Sequence, residues 1–207
     1  MISNIAFDLG GVIFKLCKSQ AADRFVEIGV ADAHSLLDDF EQKGIFGALE
    51  SGQIDAEQFR VELSRLAGRE LTREQCRYAW VGYAGERPRW IFDTLQELRD
   101  RGYKLCLLSN TNPYMMSWVL SPEFDGMGHG VQYYFDAIYA SYEMRVMKPA
   151  SRIFEMMLAG QHATAQETLF IDDSPRNCEA AATLGIRTVC PANGADWRPL
   201  VEAALTE

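Results

Sequence analysis

The sequence predicts an α/β protein built on a parallel β-sheet, with an all-helical insertion placed directly after the first strand. Short apolar runs alternate with amphipathic helical segments over most of the chain, a pattern typical of parallel sheets covered by helices. The stretch 18–81 interrupts this alternation, because it contains helical patterns only. The chain has 207 residues, enough for one domain that carries a small insertion.

The predicted strands are short and nearly continuously apolar, as expected for strands buried on both faces. They are Asn4–Phe7, Lys104–Leu108, Ala137–Tyr139, Thr168–Ile171 and Arg187–Val189. The clearest helix runs from Pro88 to Arg101, with Ile91, Leu95 and Leu98 on one face. Proline at its start and Gly102 just after its end match the usual helix boundaries. A second helix is predicted after Ser151.

Roughly four helices are predicted within the insertion. Asp55 with Gln58, and Thr72 with Gln75, have the spacing of capping boxes and mark two helix starts. The sequence therefore predicts a helical element without strands between the first strand and the rest of the sheet.

This pattern divides the chain into two predicted units. Residues 1–15 and 87–207 form an α/β core, and residues 16–86 form a helical cap domain. The segments 14–17 and 83–88 are predicted to be the two hinges between them.

Composition excludes several classes of function. A net charge of −9 gives nucleic acid nothing to bind. The N-terminus lacks the pattern of a signal peptide and no apolar run is long enough to span a bilayer, so a cytoplasmic protein without membrane contact is expected. Five scattered cysteines argue against a zinc site or a disulfide framework. No feature of the sequence points to a protein partner.

Polar and charged residues collect where the predicted strands end, which is where open α/β sheets place their sites. They are Asp8 after the first strand, Ser109 and Asn110 after the second, Lys148 after the third, and Asp172 and Asp173 after the fourth.

The chemistry of this set points to phosphate and a metal ion. Several carboxylates in one site need a cation, and Asp8, Asp173 and backbone carbonyls form an oxygen environment suited to Mg²⁺. With the metal present, Asp8 can attack phosphorus as a nucleophile. Ser109 and backbone N–H groups are placed to hold phosphate oxygens, and Lys148 supplies a positive charge.

Each of these residues alone has a plainer interpretation. An aspartate after a strand is often a turn residue, Ser109 and Asn110 can cap a helix, and Lys148 can be a solvated surface lysine. The functional interpretation is favoured because four successive strand ends all carry the right chemical type.

The chain resembles the haloacid dehalogenase-like (HAD) hydrolase superfamily over its whole length, with a Rossmann-like core and an alpha-helical cap. Within it, the chain looks most like the bacterial branch that includes an α-D-glucose-1-phosphate phosphatase. The segments that carry the resemblance are Phe7–Val12, Gly52–Asp55, Leu108–Asn112, Lys148–Pro149 and Phe170–Asp173.

The resemblance implies roles for the reacting groups. Asp8 is the nucleophile, Ser109 and Asn110 bind the transferring phosphoryl group, and Lys148 stabilises it. The cap closes over the site and selects substrates, and Trp80 could contact substrate there or simply pack.

The resemblance also implies a set of metal ligands. Mg²⁺ is held by Asp8, Asp173 and the backbone carbonyl of Gly10. Asp172 helps to orient the waters of the metal, and Asn177 supports the site from behind.

Two positions depart from the family pattern. Most family phosphatases have a second aspartate two residues after the nucleophile, acting as general acid and base, and this chain has Gly10 there. Loss of such a group costs about 10²–10⁴-fold in rate, which favours a sugar 1-phosphate, whose leaving group needs less protonation. Arg145 stands where many relatives have glycine; it could line the entrance of the site or face solvent, and the solvent-facing position is favoured.

The sequence thus predicts a magnesium-dependent phosphatase that acts on a small phosphorylated metabolite through an aspartyl-phosphate. One alternative is a metal-independent 2-haloacid dehalogenase, which would leave Asp172 and Asp173 unexplained. The other is a catalytically weak protein that binds phosphorylated metabolites, as Gly10 could indicate. A receiver domain uses similar residues but is shorter and has no inserted cap.

Overall fold

A five-stranded, fully parallel sheet forms the centre of the computed structural model, which describes residues 1–37 and 42–206. The spatial order of the strands is β3-β2-β1-β4-β5. All five strands lie where the sequence predicts them, and β2 and β3 are each one residue longer. The strands are β1 (Asn4–Phe7), β2 (Lys104–Ser109), β3 (Ala137–Ala140), β4 (Thr168–Ile171) and β5 (Arg187–Val189).

Both faces of the sheet are buried, which explains the nearly continuous apolar strands. In β1, Ile5 and Phe7 belong to the larger hydrophobic cluster on one face, while Ala6 belongs to the smaller cluster on the other. The helix with Ile91 and Leu95 covers the first face, and the helix with Phe154 covers the second. Burial of alternate side chains on opposite faces fixes the register of the strands.

The α-helices outside the insertion all follow it in the chain. They are α6 (Arg89–Asp100), α7 (Pro113–Val119), α8 (Ser141–Met144), α9 (Ser151–Gln161), α10 (Pro175–Thr183) and α11 (Arg198–Thr206). The helices predicted after Pro88 and after Ser151 correspond to α6 and α9.

The insertion between β1 and α6 is helical in its described residues. Its helices are α1 (Lys18–Glu27), α2 (Ala33–Leu36), α3 (Gly44–Glu50), α4 (Ala56–Ala67) and α5 (Arg73–Val81). The described residues of the insertion thus hold five helices, against the roughly four predicted, and the four-residue α2 is too short to show a periodic pattern. Residues 38–41 of the predicted cap lie outside the described ranges.

Both predicted capping boxes are present. The Asp55 carboxylate accepts a hydrogen bond from the Gln58 backbone N–H at 2.8 Å, and the Gln58 side chain accepts one from the Asp55 N–H at 2.9 Å. Thr72 and Gln75 make the same reciprocal pair at the start of α5. These local contacts explain why the sequence alone places the two helix starts correctly.

The two segments that connect the insertion to the sheet pair with each other. The backbone N–H of Lys15 donates to the carbonyl of Glu86 at 2.9 Å, and the N–H of Cys17 donates to the carbonyl of Tyr83 at 2.9 Å. The insertion therefore leaves and rejoins the core at one place. The division into core and cap at residues 16 and 86 stays a prediction.

The longest helices, α4 and α6, have 12 residues each. Across the described ranges, no helix is both long and apolar enough to cross a membrane.

Candidate active site

The carboxyl ends of β1, β2 and β4 meet at one edge of the sheet. Phe7 is in register with Leu107 on one side and with Ile171 on the other, so the residues that follow these three strands are neighbours. The backbone N–H of Asp8 continues the ladder by donating to the carbonyl of Ile171 at 2.8 Å. The sheet thus brings together the side chains that the sequence places at separate strand ends.

Lys148 lies at the centre of this group. Its Nζ is 2.8 Å from Oδ1 of Asp8 and 2.6 Å from Oδ2 of Asp172, and it donates a third hydrogen bond to the carbonyl of Leu108 at 2.9 Å. The side chain is only 1% exposed. Burial alone lowers the pKa of Lys148, but the Asp172 and Asp8 carboxylates outweigh it and raise the pKa above its usual value. Lys148 is therefore a fixed positive charge beside Asp8, and its role in stabilising the phosphoryl group stays a prediction.

Asn110 holds the backbone of Lys148 in place. Its Nδ2 donates to the Lys148 carbonyl at 2.9 Å, and its Oδ1 accepts from the Lys148 N–H at 2.8 Å. Both polar ends of the side chain are thus engaged, which leaves the backbone of Asn110 for the predicted phosphoryl contact. The Ser109 hydroxyl has only a long contact of 3.3 Å with the Asn110 carbonyl, so it is available to a ligand. The phosphoryl-binding roles of both residues stay predictions.

Asp172 is an anchor inside the site, since it is fully buried. Besides Lys148, its carboxylate accepts hydrogen bonds from the Ser174 N–H at 2.8 Å and from Nδ2 of Asn177 at 3.1 Å. These contacts agree with the predicted supporting positions of Asp172 and Asn177, and their predicted effect on metal-bound water stays a prediction.

Asp8, Asp172 and Asp173 form a carboxylate cluster with ligand oxygens within 4.8 Å of one another. Burial raises the pKa of Asp8 to about 6, against the opposing effect of Lys148. Burial, reinforced by the charges of Asp8 and Asp172, raises the pKa of Asp173 to about 7. Such a set of crowded oxygen donors fits Mg²⁺, whose charge allows all of them to ionise.

Two adjacent glycines shape the loop beside this cluster. Gly11 has φ +79°, and a Cβ there would lie 2.1 Å from Oδ2 of Asp173, so only glycine fits. A Cβ on Gly10 would lie 2.7 Å from Cδ2 of Leu16, which means that Leu16 fills the space beside position 10. Gly10 lines the cavity, and its predicted carbonyl contact with the metal stays a prediction.

A cavity of about 660 Å³, open solvent at its mouth included, lies between the strand ends and the helical insertion. The strand-end side contributes Asp8, Lys148 and Asp173 together with polar residues such as Ser109, Thr111 and Asn112. The insertion and its connecting segments contribute Phe14, Leu16, Gln42, Glu50, Trp80 and Tyr83.

Glu50 is the site residue that the sequence analysis missed. It is 7% exposed, and burial raises its pKa to about 8, with the Asp8 charge adding to the rise and a hydrogen bond from Asn112 opposing it. A sequence signal did exist: Phe46 and Leu49 form the buried face of α3, and Glu50 lies on that same face. A carboxyl on the apolar face of a helix is costly to bury without a purpose.

Arg145 has no place in the cavity. It is exposed, as predicted, and has φ 54° in the left-handed region that favours glycine. This backbone geometry explains why glycine suits the position in proteins with the same loop.

The fold and the site define a haloacid dehalogenase-like hydrolase. A family model of that description matches residues 2–185, so the chain belongs to this family. The chain is 44% identical over 198 residues to a D-ribitol-5-phosphate phosphatase of Bacteroides thetaiotaomicron, covering 96% of each. Within the family, the chain is a phosphatase.

Two solved structures are similar over nearly the whole chain. A predicted HAD-like family hydrolase from Porphyromonas gingivalis has a TM-score of 0.93 and 45% identity, covering 100% of this chain and 99% of that one. A HAD family enzyme from Bacteroides thetaiotaomicron, in complex with magnesium and inorganic phosphate, has a TM-score of 0.86 and 34% identity, covering 97% of this chain and 99% of that one.

Proposed function

We propose that this phosphatase hydrolyses a small polyhydroxylated phosphate monoester through an aspartyl-phosphate on Asp8, with Mg²⁺ as cofactor. The observation that carries the proposal is the position of Asp8. Its carboxylate lies in the cavity, 2.8 Å from the Lys148 ammonium and within a cluster of three carboxylates.

Each residue of the site has a distinct task in this reaction. Lys148 keeps Asp8 ionised and oriented, and its charge offsets the negative charge of the phosphoryl group. The Ser109 hydroxyl and the backbone N–H groups after β2 hold phosphoryl oxygens. Asp8 attacks phosphorus and is released when water hydrolyses the intermediate.

Asp8, Asp173 and the carbonyl of Gly10 would hold the Mg²⁺. Bound there, the ion supplies charge stabilisation to the transferring phosphoryl group and orients it for in-line displacement. Asp172 and Asn177 keep the ligands in position through the hydrogen bonds that they share.

The polar groups of the cavity favour a substrate with several hydroxyls. The side chains of Gln42, Ser109 and Asn112 line the cavity. Polar groups in a cavity wall are suited to bind a polar ligand. The similarity to a D-ribitol-5-phosphate phosphatase supports a pentitol or pentose 5-phosphate as the first candidate class.

A sugar 1-phosphate is the second candidate. Position 10, where most family phosphatases have a general acid, is glycine in this chain, and an anomeric leaving group needs less protonation than an ordinary alcohol. It also agrees with the predicted resemblance to the glucose-1-phosphate phosphatase branch.

A screen of phosphorylated metabolites tests the proposal. Ribitol 5-phosphate and glucose 1-phosphate represent the two candidate classes, and chloroacetate is the control for carbon–halogen cleavage. We expect phosphate release with Mg²⁺ and none with EDTA. Turnover of chloroacetate that is indifferent to EDTA would favour a dehalogenase, and binding of phosphate esters without any turnover would favour a binding protein.

Replacement of the nucleophile tests the covalent step. Asp8→Asn should reduce phosphate release by more than about 10⁴-fold, because the amide cannot attack phosphorus. Asp93→Asn is the matched control, since Asp93 is an exposed acid on α6, away from the cavity. Substantial turnover by Asp8→Asn would rule out an aspartyl-phosphate on this residue.

A further inference from the structure

We propose that Glu50 is the general acid of this enzyme, which protonates the leaving oxygen of the substrate and then accepts a proton from the attacking water. This inference rests on the phosphatase function proposed above. It answers the question raised by Gly10, at which the carboxyl found in most family phosphatases is absent.

The position of Glu50 follows from the geometry of in-line displacement. The attacking and leaving oxygens lie on opposite sides of the phosphorus atom. Asp8 attacks from the strand ends, so the leaving oxygen points to the insertion side of the cavity. Among the described residues that line the cavity, the carboxyl groups are Asp8, Asp173 and Glu50, and only Glu50 comes from the insertion. Within the described part of the insertion, it is the carboxyl that lines the cavity on the side where a proton is needed.

The surroundings of Glu50 keep it protonated near neutral pH. The charged and titratable side chains that line the cavity with it, within the described chain, are Asp8, Asp173, Lys148 and Tyr83. Burial is the main cause that raises the pKa of Glu50 to about 8, and the Asp8 charge acts in the same direction. The Lys148 ammonium lies on the strand-end side, in contact with Asp8 and Asp172. A carboxyl that stays protonated at neutral pH can donate a proton.

Asn112 leaves that proton free for the substrate. Its Oδ1 already accepts hydrogen bonds from the backbone N–H groups of Tyr114 and Met115, each at 3.1 Å, as the N-cap of α7. Both lone pairs of the amide oxygen are thus in use, and Asn112 can offer Glu50 only its N–H. Asn112 therefore donates a hydrogen bond to Glu50 and cannot accept the Glu50 proton. The carboxyl is oriented by this bond, and its proton stays available to the substrate.

The helix that carries Glu50 is fixed directly to the core. Ser141, the first residue after β3, donates from Oγ to the backbone carbonyl of Glu50 at 2.6 Å. Two residues later, a Cβ on Gly52 would lie 2.2 Å from the carbonyl of Tyr142, so the backbones are in close contact. Glu50 is therefore held in one place relative to the strand ends, as a proton donor must be.

The proton balance closes over both half-reactions. In the first, a bond forms between a carboxylate oxygen of Asp8 and phosphorus, the bond between phosphorus and the leaving oxygen breaks, and the Glu50 proton passes to that oxygen. The product alcohol leaves and Glu50 is a carboxylate. In the second, water attacks phosphorus, one of its protons passes to Glu50, and the bond to Asp8 breaks. Phosphate, ionised Asp8 and protonated Glu50 result.

Glu50→Gln is the sharpest test, because glutamine keeps the size of the side chain and still accepts the Asn112 hydrogen bond. General acid catalysis matters most for poor leaving groups. We therefore expect the rate of the first turnover to fall by about 10²–10⁴-fold on ribitol 5-phosphate or another active alkyl phosphate. With p-nitrophenyl phosphate, whose leaving group needs no proton, we expect a rapid burst of p-nitrophenol, followed by slow turnover and accumulated phosphoenzyme.

Two further variants make the test specific. Glu50→Asp keeps an acid and should recover part of the lost activity on the alkyl phosphate. Glu57 is an exposed carboxyl on α4, so Glu57→Gln should have the wild-type rate on both substrates. Circular dichroism and thermal unfolding check that all variants are folded.

The role of Glu50 would be overturned if Glu50→Gln slowed the first turnover equally on the alkyl phosphate and on p-nitrophenyl phosphate. It would also be overturned if the variant slowed neither. In both cases the wild type would still release phosphate and Asp8→Asn would not, so the proposed function would stand. A wild type without phosphatase activity on any ester would instead overturn the proposed function itself.

Discussion

At the scale of single residues, two carboxyl groups in one cavity have opposite requirements. Asp8 must be ionised to attack phosphorus, and Glu50 must be protonated to donate. Lys148 at 2.8 Å favours the ionised form of Asp8, whereas Glu50 is buried beside the negative charge of Asp8. The pKa of Asp8 is raised only to about 6, and that of Glu50 is raised to about 8. Between pH 6 and pH 8, ionised Asp8 and protonated Glu50 are therefore present together.

The pKa of Glu50 also predicts how stability depends on pH. Its pKa is raised from 4.5 to about 8, so between these values the folded protein binds a proton that the unfolded chain has released. The free energy of unfolding therefore falls as pH rises through this window, by about 1.4 kcal/mol per pH unit at most from this group. Glu50→Gln removes this loss, so the variant should gain about 2 kcal/mol over wild type between pH 6 and pH 8.

Urea unfolding in EDTA across this pH range measures the difference. Asp8 and Asp173 titrate in both proteins, so their own contributions largely cancel, and the difference contains Glu50 together with its coupling to Asp8. Glu57→Gln serves as the control, because Glu57 is exposed and its ion pair with Arg60 lowers its pKa below this window. Parallel stability curves for wild type and Glu50→Gln would show that Glu50 is already ionised in the folded protein.

At the scale of elements, aromatic packing holds the helices of the insertion together, and α7 of the core packs against them. Phe25, Phe46 and Trp80 from three helices pack edge to face, with ring centroids 5.3–5.7 Å apart. Tyr114 of α7 packs against Phe59 at 5.7 Å, and its hydroxyl donates to the carbonyl of Ala56 at 2.5 Å. Trp80 is thus part of this core as well as of the cavity wall, so its predicted packing role is confirmed and its contact with substrate stays a prediction.

Helix capping gives a prediction at this scale. Asp55→Ala should destabilise the protein by about 1 kcal/mol, because it leaves the backbone N–H of Gln58 without its acceptor at the start of α4. Asp32→Ala is the matched control, since Asp32 precedes α2 but makes no side-chain capping hydrogen bond. Chemical unfolding should therefore show a loss for the first variant and little change for the second. Equal effects would mean that the capping box contributes nothing specific.

At the scale of the whole molecule, the site concentrates negative charge in a protein that is already acidic. The net charge is −9, and the cluster of Asp8, Asp172 and Asp173 has one lysine beside it. Without a cation, repulsion and burial raise the pKa of Asp8 and of Asp173. A bound Mg²⁺ offsets the repulsion between these carboxylates in the folded protein. Metal binding and folding stability are therefore linked.

This linkage predicts a metal-dependent melting temperature. Saturation with Mg²⁺ at about 100 times its Kd should stabilise the folded protein by about 2.7 kcal/mol. Asp173→Asn removes one of the like charges, so this variant should be more stable than wild type in EDTA but lose most of the response to Mg²⁺. Thermal unfolding with Mg²⁺ and with EDTA measures both effects. An unchanged Mg²⁺ response in Asp173→Asn would exclude Asp173 as a ligand.

The sequence was sufficient for features that depend on local pattern. The apolar runs predicted the strands because parallel strands are buried on both faces, and the spacing of Asp55 and Gln58 predicted a helix start because a capping box joins residues three apart. The strand-end set followed from the same logic, since a parallel sheet brings its carboxyl ends to one edge. The number of helices in the insertion was predicted only roughly, because the four-residue α2 has too few residues to show a period.

The sequence by itself therefore determined the fold and the class of chemistry, and it predicted the site around Asp8. Only the tertiary structure decided how the groups are used. Asn110 binds the backbone of Lys148, and Leu16 fills the space beside Gly10. Glu50 gains its raised pKa from burial and from an aspartate far away in the chain. Solvation and charge act through space, so the protonation of a carboxyl is set by its neighbours in the folded protein and not by its neighbours in sequence.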